Sequence, residues 1–336
     1  MTGNSTLSEK TTTLKTTNKQ QTAAPACAIV IRAYNEAQHI GRLLDGIRQQ
    51  TIQDTQVILV DSGSTDGTLE IAQRYAIEIV HIQPEEFSFG RSLNLGIAHA
   101  RSDNIVIASA HVYPVYPDWL EKLLAPFQDK NVGLVYGKQR GAASTHFSEH
   151  QIFAHWFPET STISQDNPFC NNANAAIRRD LWEQHIYDES LSGLEDLDWA
   201  RWAIQQGYRI AYTAEAEIIH VHNETPGGVY NRYRREAMAF KRIYPQETFH
   251  LSNFIRLVSA NIANDLVQAA RQDILLPNIK GIFWFRWMQF WGTYQGYRHS
   301  GPLTGQLRRT FYYPRRPESK GQDQRTVEPI RYREEI

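Results

Sequence analysis

The chain has 336 residues, 41% of them hydrophobic, and a formal net charge of -1, so it can bury a large core and offers nucleic acid no bulk positive charge. Cys27 and Cys170 are its only cysteines, which excludes a disulfide framework and a cysteine zinc site and points to two buried thiols in a reducing compartment. The charge is uneven, because residues 230–320 carry fifteen Lys and Arg against five Asp and Glu, which makes the C-terminal third basic.

Residues 1–24 are rich in Ser, Thr, Gln and Lys and read as a disordered tail, neither signal peptide nor anchor. No stretch supplies the ~20 apolar residues of a membrane span. From residue 27, apolar runs alternate with helix-period segments: CAIVIRA, EAQHIGRLLDGIRQQ, QVILVD, GTLEIAQRYA, IEIVHI, SLNLGIAHA and NIVIAS. That βαβαβαβ order predicts an α/β fold whose mostly parallel sheet is flanked by helices. Three strands end in polar, turn-forming sequence: YNEA at 34–37, DSGSTDG at 61–67 and SAH at 109–111. Ligands of such sheets bind beyond the carboxyl ends of the strands, so these clusters should share one rim.

After NVGLVYGKQRG the pattern loosens, and residues 138–168 read as an active-site loop. NAAIRR predicts a strand, DLWEQH and LEDLDWARWAIQQG helices, and YRIAYT and AEIIHVHN two closing strands. Residues 25–245 then form one domain, and 246–336 a mainly helical, basic extension. Within that extension Phe283, Trp287, Phe290, Tyr294 and Tyr297 follow helical spacing, with Arg286 and Arg298 nearby. The stripe suits either a core-packed helix or a peripheral contact with anionic membrane.

Several motifs carry chemistry. Asp61 at a strand end can accept hydrogen bonds from a base or ribose, while Gly63 and Gly67 permit close backbone approach and Asp66 can cap the next helix. No phosphate-cradling glycine motif is present, so Arg91 becomes the candidate counter-charge for a pyrophosphate. Glu195, Asp196 and Asp198 crowd one helix start, where neighbouring carboxylates raise one another's pKa and can yield a general base. His220 and His222 stand two apart on one side of a strand, a pairing open to metal ligation or a structural role.

In this order, AYNEA, VDSGSTDGT, FGRSLNLGI, a strand-end tripeptide, NNANAAIRRDLW, LEDLDWARW and IIHVHN resemble the family 2 glycosyltransferases of GT-A fold, over about residues 27–245. The likeness is strongest to rhamnosyltransferase-like bacterial members. It implies transfer of a sugar from a nucleotide-sugar donor to an acceptor hydroxyl with inversion, in surface polysaccharide or lipid-linked glycan synthesis. It further implies nucleoside contacts from Tyr34, Glu36 and Asp61, and phosphate-side contacts from Arg91 and Asn94. Asp196 would be the base, positioned by Glu195, with Asn171, Asn172 and Asn174 near sugar and acceptor. A peripheral enzyme of the cytoplasm, at the inner membrane face, would follow. Oligomeric state is not legible.

Two positions depart from the family pattern. Ala33 replaces a common Pro, and Ser109-Ala110-His111 replaces the acidic DxD-type motif whose last Asp binds a divalent ion. Donor-contacting Ser109 and His111 therefore leave dependence on Mn or Mg open. His111 could ligate an ion with His222, could serve as a protonated partner of Arg91 beside the phosphates, or could be structural. The second is favoured because both hard oxygen ligands are gone. Two other functions compete: a sugar nucleotidyltransferase, whose Gly-rich loop is absent from RAYNEAQ, and a glycan-binding pseudo-enzyme that has lost its metal.

Overall fold

A computed structural model describes residues 24–222 and 224–299. The expected tail lies outside the described residues except for Ala24, and so does the extension from residue 300 onward.

Four apolar runs form the parallel half of the sheet: β1 (Cys27–Ala33), β2 (Thr55–Asp61), β3 (Glu78–His81) and β4 (Asn104–Ser109). Helices α1 (Ile40–Arg48), α2 (Thr68–Ala72) and α3 (Phe89–Ala98) connect them. Successive side chains of a strand point to opposite faces, and both faces of β1 are buried. Ala28 and Val30 join Leu93 and Ile97 of α3 in one apolar cluster, whereas Ile29 and Ile31 join Ile40, Leu43 and Leu44 of α1 in another. Both cysteines are buried and unpaired, as expected.

The second half comprises β5 (Val112–Pro114), α4 (Trp119–Leu124), β6 (Val132–Gly141), α5 (Phe147–Trp156), β7 (Asn174–Arg178), α6 (Arg179–Gln184), α7 (Glu195–Gln205) and β8 (Arg209–His220). The eight strands lie in the order β3-β2-β1-β4-β7-β6-β8-β5. Pairing is parallel between β1 and β2, β1 and β4, β2 and β3, and β6 and β8; β7 runs antiparallel to both its neighbours, and β5 antiparallel to β8. Register places Ala33 beside Asp61 and Arg32 beside Ser109, so the three polar strand ends do share one rim.

The sequence reading differs from this architecture in three places. Much of the segment expected as a loop over 138–168 is strand and helix, since β6 continues to Gly141 and α5 follows. Helical periodicity was masked there because α5 buries Ser148 and Glu149 alongside Phe147 and Phe153. The two expected closing strands are one twelve-residue strand, β8, which absorbs a register shift opposite Gly137–Gln139. Neither β5 nor α4 was anticipated; α4 packs Trp119, Leu120 and Leu123 into the core.

Three helices complete the described chain: α8 (Pro226–Ile243), α9 (Leu251–Arg271) and α10 (Leu275–Arg298). Glycines let α10 lie close along α8, for a side chain at Gly292 would strike the Tyr230 carbonyl and one at Gly296 the Arg234 carbonyl. The buried face of α10 is therefore Ile282, Phe285, Arg286, Gly292 and Gly296, and not the aromatic stripe read from the sequence. Arg286 is no surface cation: it forms a two-point pair with buried Asp265 of α9 at 2.7 and 3.0 Å and donates to the Ser148 carbonyl of α5 at 3.3 Å. Removing one partner of such a pair strands the other charge in the core. Arg286→Met should cost about 3–5 kcal/mol in denaturant unfolding, and a loss under ~1 kcal/mol would contradict this description.

Candidate active site

The loops after β1 and β2 are laced together. Asp61 is buried at the end of β2, and its carboxylate accepts from the backbone N–H of Gly63 at 3.0 Å and of Ser64 at 3.2 Å. Gly63 and Gly67 have φ of +89° and +93°, values that side chains with a Cβ resist. Gly67, not Asp66, occupies the cap of α2; Asp66 instead accepts from Thr68 N–H and from Ala37 N–H, each at 3.2 Å. Asn35 donates its N–H to Ser64 Oγ and accepts from Thr65 N–H, which fixes half-buried Tyr34 and Glu36 at the rim.

Two expected phosphate contacts face elsewhere. The buried amide of Asn94 is fully used: Oδ1 accepts from Trp182 Nε1 and Tyr187 N at 3.0 Å, and Nδ2 donates to Tyr187 O and Glu189 Oε1. It ties α3 to the segment after β7 and has no hydrogen-bonding position left for a ligand. Arg91 is held by Glu189 at 3.2 Å and Glu86 at 3.7 Å, outside the cavity described next. Its reach toward α6–α7 satisfies nearby carboxylates rather than the rim.

A cavity of about 600 Å³ opens beyond the strand ends. Of the expected residues, Glu36, Ser109, His111, Asn172, Glu195, Asp196 and His222 line it, and Tyr34, Asp61, Arg91 and Asn94 do not. Arg32, Arg232 and Arg235 also line it. They supply the positive charge that the sequence reading had placed on Arg91. The guanidinium carbons of Arg32 and Arg235 lie 4.7 and 4.6 Å from the centre of the Phe89 ring, so the ring packs against both.

Leu194, in the left-handed region at φ +57°, turns the chain into α7 and presents its first acids to the cavity. Glu195 is buried and accepts from Arg32 at 3.1 Å. Asp196 has no cationic partner at hydrogen-bond distance; it accepts the N–H of Asn172 at 3.0 Å and of Leu197 at 2.8 Å. Burial pushes its carboxyl up to about 7, Glu195 adds to the rise, and the two backbone donors and Arg32 oppose it. Asp198 pairs with Arg201 at 3.4 Å and does not reach the cavity.

Also lining the cavity, His111 contacts Glu36 at 2.8 Å and Ser109 Oγ at 3.2 Å, while its ring lies 5.0 Å from that of His220 and 5.9 Å from that of His222. Burial disfavours the His111 cation, but the Glu36 carboxylate outweighs it and raises the pKa. Burial depresses His220 well below the usual imidazole range, with His222, His111 and Arg232 adding to the effect, so it stays neutral. Buried Glu149 from α5 holds His222 at 2.6 Å and Arg232 at 2.6 Å; burial opposes its ionisation, yet the Arg232 guanidinium and the hydrogen bond with His222 bring it down to about 2. Three residues were not singled out from the sequence: Arg232 of α8, which lines the cavity, and Gln139 of β6 and Glu149 of α5, which back His220 and His222.

A family model described as glycosyl transferase family 2 matches residues 28–186. The O-antigen chain rhamnosyltransferase WbaN of Salmonella anatum is 32% identical over 225 residues, spanning 62% of this chain and 70% of the relative. RfbN of Salmonella typhimurium, another O-antigen chain rhamnosyltransferase, is 30% identical over 61% of this chain and 69% of its own. The chain belongs to glycosyltransferase family 2. This family 2 glycosyltransferase shares its fold with a mannosyltransferase from Pyrobaculum calidifontis solved in complex with GDP-Man and Mn2+, at a TM-score of 0.56 and 21% identity, over 88% of this chain and 89% of that one. The match sets aside the nucleotidyltransferase reading.

Proposed function

We propose that this glycosyltransferase is an inverting enzyme of surface-polysaccharide or lipid-linked glycan synthesis, with Asp196 as its general base. The observation that carries the reading is the placement of Asp196: a carboxylate on the cavity wall, fixed by two backbone N–H groups and raised to about 7 by burial and Glu195. A base with a pKa near the working pH is both available and able to take a proton. The acceptor hydroxyl oxygen attacks the anomeric carbon, its proton passes to Asp196, and the bond from that carbon to the phosphate oxygen breaks. The nucleoside diphosphate leaves with the bonding electrons.

Glu195, neutralised by Arg32, is a positioning residue that also keeps the Asp196 pKa high. Arg32, Arg232 and Arg235 supply preorganised counter-charge for the departing diphosphate, the role in which fixed dipoles and charges contribute most to such reactions. Tyr34, Glu36 and Asp61 sit where the nucleoside enters along the rim, with Ser109, His111 and Asn172 deeper toward the sugar. The relatives' names, O-antigen chain rhamnosyltransferases, support a deoxyhexose donor and a glycan acceptor.

A lipid-linked acceptor calls for a membrane surface. No helix among the described residues is long and apolar enough to cross a bilayer. Leu276, Phe283 and Trp287 nevertheless fall on one face of α10 and are 84%, 49% and 49% exposed, with Lys280 on the same face. That face supports peripheral docking on anionic lipid at the cytoplasmic surface.

Asp196→Asn should retain donor binding while turnover falls about 100-fold to 10,000-fold. In the unchanged enzyme, turnover should fall as pH drops through about 7, because protonation removes the base. Near-normal turnover of the variant would remove Asp196 from this role. For the surface, flotation with anionic liposomes should show the chain bound at low salt and released by high salt, and Phe283→Ser with Trp287→Ser should weaken it; no association at low salt would remove the membrane reading.

A further inference from the structure

Each of the three cavity imidazoles holds its Nδ1 against a side-chain oxygen from a different element. His111 meets Glu36 Oε1 at 2.8 Å, His220 meets Gln139 Oε1 at 2.8 Å, and His222 meets Glu149 Oε1 at 2.6 Å. An oxygen acceptor at Nδ1 fixes the ring proton there, which leaves Nε2 of a neutral imidazole unprotonated; for His111 that nitrogen also meets the Ser109 hydroxyl at 3.2 Å, a contact an ion would displace. The same arrangement orients histidines that ligate metals, whose outer N–H is nearly always given to a carboxylate or an amide oxygen.

Nitrogens of the three rings converge. His220 Nε2 and His222 Nε2 face one another at 2.8 Å, and one ring nitrogen from each of His111, His220 and His222 lies within 4.8 Å of the other two. Two lone pairs at that separation repel unless something positive lies between them. A shared proton satisfies the His220–His222 pair but leaves His111 out, whereas one cation takes all three. Two nitrogens about 2.1 Å from a common ion are about 3 Å apart when they are adjacent ligands, close to the spacing found.

We propose that His111, His220 and His222 form a three-nitrogen site for one divalent cation of the imidazole-preferring class, zinc or cobalt rather than magnesium. Loss of both acidic positions in Ser109-Ala110-His111 removes the hard oxygen ligands that magnesium requires, and three imidazoles replace them with a softer set. Glu36, Gln139 and Glu149 orient the ligands, and Arg232 braces Glu149 from 2.6 Å. The fourth position of the ion opens into the cavity, as in sites that keep one place for water or substrate. An ion bound there supplies positive charge to the leaving diphosphate. This last role rests on the transferase reading given above, but the ion site itself does not.

The test uses the full chain without a polyhistidine tag, stripped by chelator and titrated with Co2+, Zn2+ or Mg2+ by calorimetry, with the visible absorption of bound cobalt as a second readout. One Co2+ or Zn2+ should bind per chain, at least ~100-fold more tightly than Mg2+. Glu149→Gln should weaken cobalt binding about 10-fold to 100-fold, with circular dichroism unchanged. His220→Ala and His222→Ala should abolish the cobalt spectrum; if either fails to fold, His111→Ala, whose ring is half-buried, should weaken binding in the same way. Absence of cobalt and zinc binding, a preference for magnesium, or undiminished binding by a folded His111→Ala chain would overturn the proposal. A chain that binds cobalt as described but turns over no nucleotide sugar keeps the ion site and loses only its assigned role.

Discussion

The antiparallel strand β7, inserted between β4 and β6, is the constraint on which the cavity depends. A wholly parallel sheet would send the chain before each strand to the far edge, away from the ligand rim. Because β7 runs the other way, Ala108 pairs with Asn174, and the three residues before β7 arrive beside Ser109 at the end of β4. Asn172 thus presents its N–H to Asp196, and its side chain reaches Glu195 at 3.5 Å. The histidines after β4 and β8 and the acids of α7 thereby line one cavity.

The cavity holds its charges in opposed sets. Arg32 neutralises Glu195, and Arg232 neutralises Glu149 and Glu224 at 2.6 and 2.7 Å. Asp196 is given only neutral backbone donors, so burial dominates its titration. A carboxyl raised in this way costs stability above its ordinary pKa: the folded chain retains a proton that the unfolded chain releases, so stability falls as pH rises from about 4 toward 7. The same burial that weakens the fold there holds Asp196 near neutral pH, which its proposed role as base requires.

Much of this was legible in the sequence, for identifiable reasons. Buried parallel strands read as continuous apolar runs, and CAIVIRA, QVILVD and NIVIAS became β1, β2 and β4. The shared rim followed from polar residues at three strand ends, and Asp196 from acids crowded at a helix start. The segment FGRSLNLG was legible as a motif but not in its purpose. Gly96 admits Val30 and Val60, Gly90 admits the Asp188 carbonyl, and Asn94 joins Trp182 and Tyr187, so the segment fixes helix packing, with Arg91 and Asn94 outside the cavity lining. Arg232 and Gln139 escaped notice because nothing in the pattern of their helix or strand marks them, and Glu149 because α5 read as loop; only tertiary pairing brings Arg232 to the cavity and sets Gln139 and Glu149 behind its histidines. Arg286 escaped for the opposite reason: a lone cation beside aromatics looks like surface until Asp265, 21 residues earlier, neutralises it in the core.

The central claim is that the one cavity lined by Asp196 and by His111, His220 and His222 holds the donor during transfer. A structure of the chain with a bound nucleotide sugar, chosen as the one that most raises the melting temperature, tests it most directly. The account predicts the diphosphate between the histidines and Arg232, with the sugar's anomeric carbon open to attack from the side of Asp196. A diphosphate seated on Arg91 and Glu86, outside that cavity, would contradict it.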